Sequence, residues 1–73
     1  MLFEERNLEQ QRHLLLVPFY TVCDRLGVDA KLDVDGDGFV VVVGDQRHNV
    51  GRFTEEMLGS FGQKVAEALT NGR

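Results

Sequence analysis

The sequence predicts one small α+β domain: a helix, then a three-stranded antiparallel meander, then a second helix. Apolar residues recur at helical spacing near the start and again near the end of the chain. Between these segments, paired Asp-Gly steps separate stretches in which apolar and polar residues alternate. A length of 73 residues suits one domain, residues 1–73, and we expect both helices to cover one face of the sheet.

The first helix is predicted over residues 8 to 26. Its apolar stripe consists of Leu8, Leu15, Phe19, Val22 and Leu26. Asn7 begins a capping-box pattern, and Gly27 suits the C-cap. Pro18 lacks the N–H that an inner helical position needs, so the helix is expected to kink or to break near Leu16–Pro18.

Three short strands are expected next, over residues 30 to 34, 39 to 43 and 47 to 52. The segment Asp35-Gly36-Asp37-Gly38 predicts a tight hairpin turn, because glycine adopts positive φ without a Cβ clash. A second turn is expected at residues 44 to 46.

The last helix is expected to begin after Thr54 as its N-cap and to end at Asn71-Gly72. Its buried face is predicted to contain Met57, Leu58, Phe61, Val65, Ala68 and Leu69. Gly59 and Gly62 weaken the first two turns, which implies either close packing or a break with Ser60 as a new cap.

Composition favours a soluble, cytoplasmic protein. The net charge of −4 disfavours non-specific binding to nucleic acid and is compatible with a basic protein partner or with solubility alone. Cys23 is the only cysteine, so no intramolecular disulfide can form, as is typical of a reducing compartment. No secretory signal follows Met1, and no apolar run approaches the ~20 residues that span a bilayer.

The second strand suggests an interaction surface. Phe39, Val41 and Val43 can face the helices, which leaves Val40 and Val42 on the opposite face of the central strand. We expect a partner, or a second copy in a two-fold dimer, to use these valines. The alternatives are that the N-terminal segment covers them or that they serve strand formation alone. Arg47, Arg52, Glu55 and Glu56 are the expected polar contacts of the partner.

The residues Asp33, Asp35, Asp37 and Gly38 resemble the first half of an EF-hand calcium loop. The likeness implies calcium ligands at the three aspartates, because calcium takes six to eight oxygen ligands. The twelfth position, where the family has a bidentate Glu, is Gly44. A calcium-binding module is therefore kept as an alternative.

The order helix, three strands, helix is also similar to that of double-stranded-RNA-binding domains. Residues 63 to 69 resemble the closing helix of that family, which implies a dimeric nucleic-acid-binding domain as a second alternative. The family carries a basic cluster at the start of this helix, whereas Glu55 and Glu56 stand there in this chain.

The leading hypothesis is a small acidic, non-enzymatic protein-binding module. His13, Cys23 and His48 have no zinc spacing, and no phosphate-binding or nucleophile motif is present, so we expect no catalytic site and no cofactor. Small acidic proteins of this kind are typical of phages and mobile elements, where they regulate or inhibit a larger enzyme. A host RNA polymerase or a defence nuclease is an example of such a target.

Overall fold

The computed structural model describes residues 1–71 and confirms the helix–meander–helix order. The regular elements are α1 (Leu8–Leu26), β1 (Lys31–Asp35), β2 (Gly38–Val43), β3 (Gln46–Gly51) and α2 (Phe61–Asn71). Two 3₁₀ turns complete the fold: the N-terminal turn, Phe3–Glu5, and the connecting turn, Glu55–Ser60. The predicted helix end at Gly72 lies outside the described residues. Within residues 1–71, neither helix has the length and hydropathy needed to cross a membrane.

Helix α1 is continuous through Pro18, so the predicted break is wrong, while the kink stays a prediction. Asn7 caps its start, because the side-chain oxygen accepts a hydrogen bond of 2.8 Å from the Gln10 N–H. Gly27 ends it in the left-handed conformation, with φ of 65°. Pro18 removes the N–H that would pair with the Leu14 carbonyl, but the buried side chain of Phe19 holds the following turn in the core.

The three strands form one antiparallel sheet in the order β1-β2-β3. Each strand differs from its predicted range by one residue at one or both ends. The reason is that both turns are tighter than expected: Gly36-Asp37 and Gly44-Asp45 alone turn the chain, with φ of 64° at Gly36 and 61° at Gly44. Residues such as Gly38 therefore belong to the ladder rather than to the turn.

One face of the sheet carries the core, as expected. Leu32, Phe39 and Val41 of β1 and β2 pack against Phe19 of α1 and Phe61 of α2 in a single buried cluster. Helix α1 contacts β1, and α2 contacts β2 and β3. The N-terminal turn adds Phe3 to the same cluster and so lies on the helix side of the sheet, not across its other face.

The segment predicted to be the first part of the last helix is instead the connecting turn. Thr54 makes no side-chain capping bond there. The Glu55 N–H is bound by the Glu4 carboxylate at 2.9 Å, so the N-terminal turn supplies the cap that Thr54 was expected to supply. Of the two alternatives for this segment, the helix changes from 3₁₀ to α geometry after Ser60. Ser60 does not act as the expected new cap, because its hydroxyl donates back to the Met57 carbonyl at 2.9 Å.

Candidate interaction surface

The predicted sheet-face site offers little apolar surface. Val40 is only 2% exposed and Val42 is half-buried. The cluster that packs beneath the helices does not include Val40, so its cover comes from neighbours on its own face of the sheet. Its partners in register are Asp33 on β1 and Asn49 on β3. The expectation that Val40 is available for contact is therefore wrong.

An ion pair helps to explain this burial. The Arg47 guanidinium lies 3.9 Å from the Asp35 carboxylate, and these residues belong to the two outer strands. The pair therefore reaches across β2, and the long arginine side chain can lie over the central strand.

The remaining predicted contact residues are dispersed. Arg52 follows β3 and is exposed, as are Glu55 and Glu56 on the connecting turn. Glu55 borders a groove beside α1 that is described below. The structure therefore does not bring the six predicted partner-binding residues together on one surface.

The aspartates of the hairpin do not form a metal centre within residues 1–71. No group of three His, Cys, Asp or Glu side chains there could hold a metal ion. Asp35 faces Arg47, and the Asp33 carboxylate accepts a hydrogen bond of 2.8 Å from the Val34 N–H. These contacts give Asp33 and Asp35 structural roles in the hairpin.

Cys23 is buried in the core, as expected of a small apolar residue in α1. Burial raises the pKa of its thiol, which disfavours the reactive thiolate form. His13 is exposed and lies ten residues from Cys23, which is about 15 Å along the helix axis, so these two residues do not form a nucleophile–base pair.

The largest exposed apolar residues of α1 lie on its outer side. Val17 is 76% exposed, Leu14 50% and Tyr20 49%. These three residues, here termed the α1 ridge, are spaced three apart and therefore follow one another along the solvent face. The inward stripe of the same helix contains Leu15, Phe19 and Cys23, so α1 is apolar on both sides.

The ridge does not have the composition of a simple solvated helix face. Val17 is β-branched and Tyr20 is aromatic, and both form helix less readily than Leu14, the third residue of the ridge. Pro18 is less favourable still, and it also disfavours helical geometry at Val17 before it. Neither solubility nor helix stability explains this choice of residues, which indicates a constraint of another kind.

A groove of about 330 Å³ lies beside the ridge. The ridge residue Leu14 borders it, as does Pro18. The other apolar lining residues are Met1, Phe3, Leu15, Leu58 and Phe61. Arg6 and Glu55 supply opposite charges to its lining. The groove and the ridge share Leu14 and so form one continuous surface, which joins α1 to the N-terminal turn and the connecting turn.

Sequence reasoning missed this surface because it assigned only one apolar stripe to α1. Leu14, Val17 and Tyr20 were left over from that stripe, and their own spacing of three residues was the signal that could have revealed it. The groove could not be predicted in this way, since it depends on the docking of the N-terminal turn.

No protein-family model, curated protein or solved structure matches this chain, so the α1 surface is interpreted from its own geometry.

Proposed function

We propose that this chain is a non-enzymatic protein-binding domain and that its binding surface is the α1 ridge with the adjoining groove. The observation that carries the proposal is the 76% exposure of Val17 between two half-exposed apolar neighbours on a helix. Contiguous exposed apolar side chains with polar neighbours are typical of protein–protein contact sites.

The composition of the surface supports the same proposal. Tyr20 is of a residue type that is enriched at contact sites, and Leu14 and Val17 add apolar area. Arg6 and Glu55 beside the groove can orient a partner without dominating the affinity. A domain that binds in this way acts by occupying a surface of its partner, which is the mechanism expected of a regulator or inhibitor of a larger enzyme.

A matched pair of substitutions tests the proposal. Val17→Glu places a charge on the ridge at a position where Glu favours helix more than Val does. Val42→Glu makes the same change on the sheet face, where Lys31 and Arg47 flank the residue in register and can pair with the new carboxylate. Circular dichroism and thermal melting should show that both variants fold.

The tagged full-length chain and both variants are then used to capture proteins from an extract of the source cells, with quantitative mass spectrometry. We expect specific proteins that the wild type and Val42→Glu retain and that Val17→Glu loses at least tenfold. Equal capture by the wild type and Val17→Glu would contradict the assignment of the ridge. If only Val42→Glu loses the captured proteins, the binding surface lies on the sheet face instead of the ridge.

A further inference from the structure

We infer that the α1 ridge binds a second copy of this chain, so that two α1 helices pack antiparallel about a two-fold axis near Val17. This inference rests on the proposed function and deepens it, because it names a second copy of the chain as one partner of the ridge, for which a larger enzyme would compete. It differs from the dimer expected through the sheet, since the residues involved lie on the opposite side of the molecule.

The first argument is the symmetry of the ridge about its centre. Leu14 and Tyr20 lie three positions to either side of Val17, and the exposed polar residues Gln10 and Asp24 lie seven positions to either side. In an antiparallel pair centred on Val17, Leu14 of one copy is level with Tyr20 of the other, and Gln10 is level with Asp24. An isologous interface requires this kind of self-complementarity.

The second argument is the distribution of charge along the same side of the helix. Arg6, Glu9, Gln10, His13 and Leu14 border one shallow cleft at the N-terminal end of the face. Glu9 is paired with Arg12, which leaves Arg6 as the cationic group of the cleft without a partner among its lining residues. Asp24 is the exposed acidic residue near the C-terminal end. Antiparallel packing brings the Arg6 end of one copy towards Asp24 of the other, where the Gln10 amide can also donate to the carboxylate.

Parallel packing of the two helices does not share this advantage. It would place Asp24 next to Asp24 and Arg6 next to Arg6, and it would align the two helix dipoles. The charges therefore select one orientation, while the apolar residues at the centre supply the attraction.

The size of the ridge implies weak association. Its apolar centre spans Leu14 to Tyr20, which is about 9 Å of helix, whereas stable interfaces bury about 800 Å² on each partner. We therefore expect a dissociation constant in the range of roughly 10–500 µM. Each copy carries a net charge of −4, so added salt should strengthen the dimer by screening the repulsion between the copies.

Sedimentation velocity of the full-length chain from about 10 µM to 1 mM tests the inference over the range that contains this constant. The weight-average mass should rise with concentration from 8.2 kDa towards twice that value. Val17→Glu should weaken the association at least tenfold, and Val42→Glu should leave it unchanged. A wild type that stays monomeric at the highest concentration overturns the inference, as does dissociation by Val42→Glu alone.

Cross-linking tests the orientation. In a Cys23→Ala background, Gln10→Cys and Asp24→Cys variants are treated with a short bis-maleimide, each alone and as a mixture. Antiparallel packing predicts that the mixed heterodimer is cross-linked at least fivefold more than either variant alone. Preferential cross-linking of the separate variants would indicate parallel helices and overturn the inference.

The two proposals can fail separately. Suppose that the wild type stays monomeric but the Val17→Glu variant still loses captured proteins. The protein-binding function then stands, and only the second copy is ruled out as the occupant of the ridge. Concentration-dependent dimers that survive Val17→Glu substitution overturn the inference, and the extract experiment then decides the proposed function independently.

Discussion

The two helices lie on the same face of one sheet, yet their solvent sides differ. Helix α2 exposes polar residues, namely Gln63, Lys64, Glu67 and Thr70, and buries Phe61, Val65 and Leu69. Helix α1 buries an equivalent stripe but exposes Leu14, Val17 and Tyr20. The inward residues of both helices are explained by folding, whereas the outward residues of α1 are not. The contrast separates what the domain needs for stability from what it has available for binding.

The contrast between the two helices assumes that their inward faces contribute equally to the stability of the core. Phe19 and Phe61 are both fully buried in the same cluster. We expect Phe19→Ala and Phe61→Ala each to lower the free energy of unfolding by about 3–5 kcal/mol, through lost burial and the cavity that remains. Urea unfolding followed by circular dichroism measures both values. A loss below about 1 kcal/mol for either variant would show that its helix contributes little to the core.

Replacement of Pro18 tests whether the outer side of α1 has residues that the fold does not need. Pro18→Ala restores the N–H that can pair with the Leu14 carbonyl, which should stabilise the helix. Part of this gain is offset because the unfolded chain is more flexible without proline, so the free energy of unfolding should rise by about 1–2 kcal/mol. Glu67→Ala on the outer side of α2 is the control and should change stability by less than about 0.5 kcal/mol. A destabilised Pro18→Ala variant would mean that proline is needed for the fold itself.

The stability of helix α2 can also be raised by a substitution, because its first turn contains a replaceable glycine. A Cβ on Gly62 would lie 3.5 Å from Val22 Cγ2, which is ordinary van der Waals contact with α1. Gly62→Ala should therefore stabilise the domain by up to about 1 kcal/mol through helix propensity. Gly36→Ala is the control and should destabilise the domain by about 1 kcal/mol, because Gly36 has a φ of 64°. Thermal melting of both variants should give shifts of opposite sign.

The smallest expected effect concerns the N-terminal turn beside the ridge. The hydrogen bond from the Glu55 N–H lowers the pKa of Glu4 below its ordinary value of 4.5. A lowered folded-state pKa stabilises the fold at pH values above 4.5 and loses this contribution as the pH falls through the folded-state value. Glu4→Gln should therefore reduce the difference in stability between pH 7 and pH 3. Glu56→Gln, one residue beyond the bound N–H, is the matched control in the same urea titrations.

Much of the fold could be predicted because local signals agreed with one another. Asn7 and Gly27 bound α1 at both ends, and glycines with positive φ fix both hairpin turns. Pro18 was a conflicting signal, and the helix continues through it because packing of the inward stripe outweighs one lost hydrogen bond. The start of α2 was misplaced because Thr54 resembles a cap, while the group that binds the Glu55 N–H comes from the distant Glu4.

The candidate site was harder to predict for a physical reason. The alternation of side chains along β2 correctly implies that Val40 is outside the helix-facing core, but it cannot show that Val40 is only 2% exposed. Exposure depends on neighbours that are distant in the sequence. On α1 the reverse holds, since Val17 is exposed because no element within residues 1–71 packs on that side.

The contact between Glu4 and Glu55 also has a consequence for how the domain is made. The two residues are 51 positions apart, and Phe3 enters the same core as Phe61. During synthesis the first residues emerge long before the segment that will receive them, so the N-terminal turn has no docking place until most of the chain has been translated. The groove beside Leu14 is lined by both the N-terminal turn and the connecting turn, so it can be complete only after the connecting turn has been made.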